Sequence, residues 1–231
     1  MSMEREVKVT CPECGAEGGF ILWQSVNTQL DPEAKQKVLN GELFQYTCPK
    51  CGSVINVNYD LLYHQMEDLI MIQVASNDNE VKVATESFDK FVDGSFMPGV
   101  ELSEQEYRFR IVRNLNQLRE KIYIFDQGLD DRIVEILKIL MFFNPGVKPD
   151  VKQFEEKVVE VFVDINEGAP EKFAVRFDNG KWRTAPFIQQ WYDEVKSGVA
   201  ALDDDQKGYV FDHDWAVSWV EAHCPSGLLR G

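Results

Sequence analysis

Thr10-Cys-Pro-Glu-Cys-Gly15 and Thr47-Cys-Pro-Lys-Cys-Gly52 are one hexapeptide written twice, 37 residues apart, with a single acidic-for-basic exchange between the cysteines. A Cys-Pro-x-Cys-Gly unit has the features of a zinc knuckle. Its two thiolates converge on one ion, backbone N–H groups turn toward the sulfurs, and the glycine after the second cysteine takes the positive φ that closes the turn. Two knuckles supply four thiolates. Cys11, Cys14, Cys48 and Cys51 are therefore the metal ligands, and tetrahedral sulfur favours Zn²⁺, with iron as the lesser option. Such a set is closed and structural, one ion per chain, with no position left open for a substrate.

Working outward, each knuckle is flanked by strand-like sequence. Glu6 to Thr10 leads into the first, and Gly19 to Asn27 leaves it with β-branched and aromatic content. Leu43 to Thr47 enters the second, Val54 to Asn58 leaves it in alternation, and Leu69 to Val74 reads as a buried strand. Between them, Asp31-Pro32 opens and Gly41 closes a short helix over residues 32–40. Residues 76–80 and 94–99 read as polar or Gly/Pro connections. Tyr107, Ile111, Leu115, Leu118, Ile122 and Phe125 then form an apolar stripe at spacings of three and four, and Ser103 with Glu106 makes a capping box. This predicts a helix from 103 to a stop at Gly128, paired with a second helix capped by Asp130, a helical hairpin over about 103–143. Past Asn144-Pro145-Gly146, strands over 157–164, 173–177 and 181–184 turn at Asp178-Asn-Gly180, and helices over 188–195 and 215–222 follow, the last capped by Asp212 or Asp214.

The expected fold class is α+β: a zinc-ribbon-like N-terminal β module (about 5–75) with an inserted short helix, a helical hairpin, and a small C-terminal α+β segment. The boundary is expected near Pro145, giving a module over 1–144 and a segment over 145–231. The 231 residues are 44% hydrophobic and 27% charged, a composition that buries a core without disulfides.

Charge narrows the function classes. The chain carries a formal −15 at pH 7, a field that repels phosphate backbones and anionic lipid. Residues 1–75 hold five basic side chains (Arg5, Lys8, Lys35, Lys37, Lys50) against ten acidic ones, and a tetrathiolate zinc centre adds about −2. Nucleic-acid binding by the ribbon is disfavoured on that ground. The N-terminal residues lack an apolar signal core, and the longest apolar run, Ile133 to Phe143, is broken by Glu135 and Lys138. The expectation is a cytoplasmic protein with no membrane span, in whose reducing setting paired cysteines ligate metal rather than form disulfides.

Other chemistries compete with structural roles at several residues. A glutaredoxin-type dithiol needs its first thiolate at a helix N-terminus, whereas Gly15-Ala-Glu-Gly-Gly follows the first knuckle. His64, Asp130 and Asp131 are the candidates for acid/base or hydrolytic chemistry between ribbon and hairpin, with a surface or core histidine and helix capping as the plain alternatives. Arg108, Arg110, Arg113 and Arg119, interleaved with Tyr107 and Phe109, form a basic, aromatic stretch of the expected long helix, either a phosphate or acidic-partner surface or, more plainly, an amphipathic helix with Arg108 and Arg119 off its apolar stripe. His213, His223 and Cys224 match no ligand or nucleophile spacing, Asp203-Asp-Asp205 lacks the calcium-loop pattern, and Trp215 and Trp219 share a helix face.

The sequence resembles the bacterial CpXC domain proteins. Beyond the cysteines, Val26-Asn-Thr, Asp31-Pro-Glu, Leu39-Asn-Gly-Glu-Leu-Phe, Leu61-Leu-Tyr-His and Glu120-Lys-Ile-Tyr-Ile-Phe-Asp-Gln-Gly-Leu-Asp-Asp-Arg are similar to that family over roughly residues 7–144. The resemblance implies a zinc site at the four motif cysteines and no particular reaction. The combined expectation is a non-catalytic protein-interaction or adaptor module, partnered by another protein or by a second copy of itself.

Overall fold

Period-two alternation directs Val7, Val9, Phe20 and Leu22 to one side of a two-stranded ribbon, β1 (Met3–Thr10) against β2 (Glu17–Asn27), and that side is buried against Tyr46 and the knuckle cysteines. The structure is a computed structural model of the chain and describes residues 2–95, 107–143, 156–164, 172–199 and 208–223.

The last residues of β2, from Ser25 to Asn27, pair in parallel with β5 (Leu62–Gln65), which runs antiparallel to β6 (Ile70–Val74), itself parallel to β7 (Arg108–Val112). The five-stranded sheet has the order β1-β2-β5-β6-β7. Val26, Leu61, Tyr63 and Ile72 are fully enclosed at its centre. The second knuckle stands on a small hairpin of its own, β3 (Gln45–Thr47) with β4 (Val54–Asn56). Helix α1 (Pro32–Asn40) is inserted after β2 and ends on Gly41 at φ 83°, the left-handed stop its sequence requires.

Helix α2 (Asp78–Val92) replaces the bare connection expected after Ser76. Its start is built by Asn77, whose side chain accepts from the Glu80 N–H at 3.1 Å, while Glu80 reaches back to the Ser76 N–H at 3.0 Å. That reciprocal pairing, with Ala84 and Phe88 buried four apart, is the signal missed in the sequence.

A second correction concerns residues 107–112. The expected helix from 103 begins only at Leu115: α3 spans Leu115–Asp126, opened by the Asn114 side chain accepting from the Gln117 N–H at 3.0 Å. Ile111 lies within strand β7, and Tyr107 immediately precedes it. A spacing of four satisfies both a helical turn and two strand periods, so the stripe did not distinguish them. The strand wins because Phe109, Ile111 and Val112 bury in register with β6, and Phe109 packs on Phe88 at 4.8 Å between ring centroids. Ser103 and Glu106 lie outside the described residues.

Past Gly128 (φ 67°), helix α4 (Asp131–Lys138) continues as one wide π-turn, Ile139–Phe143. A three-stranded antiparallel sheet follows, order β10-β9-β8, from β8 (Val158–Val163), β9 (Lys172–Phe177) and β10 (Trp182–Pro186), with Gly180 at φ 78° turning the last pair. Helices α5 (Gln189–Gly198) and α6 (His213–His223) both pack on α4. The architecture is α+β.

The chain divides into two compact units, Met1–Leu118 and Arg119–Gly231. The division falls inside α3, after its first turn. Buried polar side chains give the reason: Glu120 accepts from the Val163 N–H at 2.7 Å, and Lys121 donates to the Phe211 carbonyl at 2.7 Å. No described helix is long and apolar enough to cross a membrane.

Candidate metal centre

The two knuckles repeat each other bond for bond. The Gly15 N–H donates to the Cys11 carbonyl at 2.9 Å and the Gly52 N–H to the Cys48 carbonyl at 2.9 Å. The Cys11 N–H closes on the Ala16 carbonyl at 2.8 Å, as the Cys48 N–H does on Ser53 at 2.8 Å. Gly15 and Gly52 turn the corner at φ 68° and 74°, where a side chain would be strained.

These turns bring four sulfurs to one place. Cys11 Sγ lies 3.7 Å from Cys51 Sγ, Cys14 Sγ lies 3.6 Å from Cys48 Sγ, and all four are within 4.8 Å of one another. Both short contacts run between knuckles. They are far too long for disulfides, whose sulfurs are about 2.05 Å apart. A tetrahedral ion with metal–sulfur bonds of about 2.3 Å requires sulfur–sulfur edges of about 3.8 Å, so the spacing fits a metal centre. Cys11 and Cys48 are 1% exposed, while Cys51 reaches the surface.

The backbone supplies charge stabilisation. N–H groups of Cys51 and Lys50 point at Cys48 and lower its thiol to about 6. Ala16 does the same for Cys14 and Ser53 for Cys51, the equivalent positions of the two turns. Against the Ala16 N–H, burial and the three neighbouring sulfurs push Cys14 up to about 12. Without a cation the four sulfurs cannot all be thiolates; a divalent ion removes that conflict. The cluster can hold a metal ion.

Tyr46 closes the inner side of the cluster. It is 3% exposed, and Phe20 packs edge-on against it at 6.4 Å between centroids. Burial, then the charges of Cys48, Cys11 and Cys14, push its phenol up.

The fold and site define a four-cysteine cluster on a β scaffold, spaced so that it could hold a metal ion. The chain belongs to the CpXC protein family, which matches residues 9–138, more than half its length. No curated protein and no solved structure matches it.

The remaining sequence candidates are each engaged elsewhere. His64, on β5 in the first unit, bonds Nε2 to the Tyr107 hydroxyl at 3.1 Å, and burial pushes its imidazole down. Asp130 caps α4, accepting from the Arg132 N–H at 2.9 Å and pairing with Arg132 Nη2 at 2.6 Å. Burial pushes the Asp130 carboxyl up, but the Arg132 hydrogen bond and charge outweigh it and hold the group below the usual carboxylate range.

Asp131, adjacent in sequence, turns into the core at 0% exposure and pairs with Lys121 at 3.0 Å. It ends a chain of buried charges: Lys121 also meets Glu135 at 3.1 Å, Glu135 meets Lys138 at 2.9 Å, and Lys138 meets Glu120 at 3.3 Å. Burial opposes each charge. The paired carboxylates overcome it for both lysines, whose ammonium groups are held more basic than usual. The lysines likewise keep Glu135 low, whereas Glu120, the third acid against two cations, is raised by its burial.

The arginines expected on one long helix are dispersed instead. Arg108 and Arg110 stand on β7, Arg110 donates to the Phe109 carbonyl at 2.7 Å, and Arg113 pairs with Asp78 at 2.8 Å. On α6, Trp215 packs on Phe211 and Trp219 stacks on His223 at 4.6 Å, while His213 contacts Phe143 at 4.5 Å. Cys224 and Asp203 to Asp205 lie outside the described residues. Tyr46 and the buried charges around Lys121 are what the sequence reading missed; an aromatic two residues before a ligating cysteine, and Glu-Lys beside Asp-Asp-Arg in apolar helices, were the available signals.

Proposed function

We propose that the centre holds one structural Zn²⁺ per chain, bound by Cys11, Cys14, Cys48 and Cys51, and that the protein is a non-catalytic interaction module. The ion would supply cross-linking of two hairpins, not chemistry at a substrate. The observation that carries this reading is the closed donor set: four sulfurs at tetrahedral spacing leave no ligand position to exchange. Zinc over iron rests on borderline-soft tetrahedral sulfur together with a backbone that already donates to the thiolates.

Two alternatives lose support for specific reasons. Both knuckles lead into strands, β2 and β4, so no helix N-terminus activates a thiolate for redox exchange. For a hydrolase, His64, Asp130 and Asp131 each spend their polar atoms on Tyr107, Arg132 and Lys121. The net charge of −15 weighs against nucleic acid and favours a protein partner, with a second copy of the chain the first to examine. Free thiols held ready for metal suit the cytoplasm.

Native mass spectrometry with elemental analysis, on untagged protein and its Cys48→Ser variant, tests metal and assembly together. One zinc per chain, weakened in the variant, is expected, along with a dimer or a retained partner. Four thiols cycling to disulfides without metal would overturn the reading.

A further inference from the structure

We propose that the Tyr46 hydroxyl is a positioning group for the metal centre, donating a hydrogen bond to the Cys48 thiolate in the metal-loaded protein. This rests on the metal-binding reading above and adds an outer partner to its ligand set.

The starting observation is an orphan. Among the described residues, the Tyr46 hydroxyl is the one buried side-chain polar atom without a hydrogen-bond partner. A phenol 3% exposed that leaves its O–H unpaired forfeits a hydrogen bond to water and gains nothing, a cost native cores rarely accept. Its surroundings name the missing acceptor. Tyr46 lies in β3 and Cys48 directly follows that strand, two residues on, and both belong to the buried cluster of Cys11, Phe20, Tyr46 and Cys48. Among the side chains of those four buried residues the groups able to accept from the phenol are the sulfurs, and a thiolate accepts far better than a thiol.

A second observation is independent. A Cβ built on Gly18 would stand 2.2 Å from the Tyr46 hydroxyl oxygen and 3.0 Å from the ring carbon bearing it. Gly18 lies within strand β2 and is not among the glycines with positive φ, so the backbone does not require glycine there. What the missing side chain provides is room for this hydroxyl. The repeat sharpens the point, because the residue matching Tyr46 in the first knuckle is Val9, which cannot donate. Val9 is the strand partner of Gly18. The two turns are otherwise alike in their backbone bonds, so the phenol makes the centre asymmetric and gives Cys48 a donor beyond the N–H groups of Lys50 and Cys51. Donors of this kind draw charge from the sulfur and fix its lone-pair direction, which sets affinity and ligand-field strength.

The test uses full-length wild type, Tyr46→Phe and Gly18→Ala, each loaded with Zn²⁺ for chelator competition and with Co²⁺ for absorption spectroscopy. Tyr46→Phe keeps the ring, and Gly18→Ala keeps the phenol but displaces its hydroxyl. Both are expected to bind Zn²⁺ about tenfold more weakly than wild type. Both should move the sulfur-to-cobalt charge-transfer band to lower energy while the tetrahedral d–d bands persist. A simple packing defect would not move that band. Wild-type affinity within twofold and an unmoved band in both variants would overturn the proposal and leave the metal reading intact; a wild-type protein that takes up neither ion would overturn both. Should Tyr46→Phe fail to fold, the charge-transfer band of Gly18→Ala decides by itself.

Discussion

Replacing Lys121 with methionine removes one ammonium and strands three acceptors. Lys121 Nζ serves Asp131 at 3.0 Å, Glu135 at 3.1 Å and the Phe211 carbonyl at 2.7 Å, all at a side chain 4% exposed. Methionine fills a similar volume, so the loss is electrostatic rather than a cavity. Removing one partner of a buried ion pair costs about 3–5 kcal/mol, because the other charge stays behind without compensation. The unit Arg119–Gly231 has 113 residues. At about 2.1 cal/mol/K of unfolding entropy per residue, that cost lowers the midpoint of its transition by about 12–20 °C. Differential scanning calorimetry at pH 7 reads it directly. Adding Asp131→Asn to Lys121→Met neutralises one stranded carboxylate and should return part of the loss, and acidification should narrow the gap to wild type as the carboxylates protonate. A midpoint change below about 4 °C, with no recovery in the double variant, would refute the account of these charges as a structural unit.

The same cluster predicts a pH dependence for Glu120. Its folded-state carboxyl is raised above the ordinary range by burial, so its favourable contribution is complete below the unfolded value, about 4.3, and is lost as pH rises through the folded one. Glu120→Gln, which keeps an acceptor for the Val163 N–H, should flatten that decline in urea titrations run at a series of pH values. His64 has the opposite sign: its imidazole is lowered by burial, so its contribution is present above about pH 6.5 and disappears as pH falls through the folded value. His64→Gln should therefore blunt the acid sensitivity of the first unit, followed by far-UV circular dichroism. Gly52→Ala forces a Cβ at φ 74° in the second knuckle and should cost about 1–2 kcal/mol of metal-coupled stability, measured as weaker Zn²⁺ retention against a chelator. Asn77→Ala removes the cap of α2 and should cost about 1 kcal/mol in thermal unfolding.

The four-cysteine cluster was legible because a knuckle is a local code: cysteine spacing, proline and glycine specify the turn without help from distant chain. Turns at Gly41, Gly128 and Gly180 were readable for the same reason. What failed was information carried by partners. Arg108 to Val112 satisfies either period, and only an available edge on β6 decides for strand. Likewise Lys121 and Lys138 look like solvated helix charges until Asp131, Glu135 and Glu120 meet them in the core. The bonds from Glu120 and Lys121 to Val163 and Phe211, which tie α3 to the second unit, are of the same kind, because nothing local to α3 announces them.

The two units solve one physical problem differently. In Met1–Leu118 the knuckles stand on ribbons of two strands each, and such ribbons bury too little apolar surface to hold themselves together. On the metal-binding reading proposed above, joining them through four sulfurs would add metal–ligand bonding to that small core and make the local fold depend on an ion. In Arg119–Gly231 the helices α3 and α4 already bury Ile122, Ile124, Ile136 and Leu137 almost completely, so hydrophobic contact alone would hold them at several neighbouring registers. The alternating chain Glu120, Lys138, Glu135, Lys121, Asp131 admits one register, since a slip of either helix leaves an uncompensated charge in the core. Chelation should accordingly loosen the first unit while leaving the midpoint of the second in place, and hydrogen exchange on chelated and loaded protein separates the two. Uniform loss of protection across both units would show that the metal supports the whole chain and that the ion chain fixes nothing by itself.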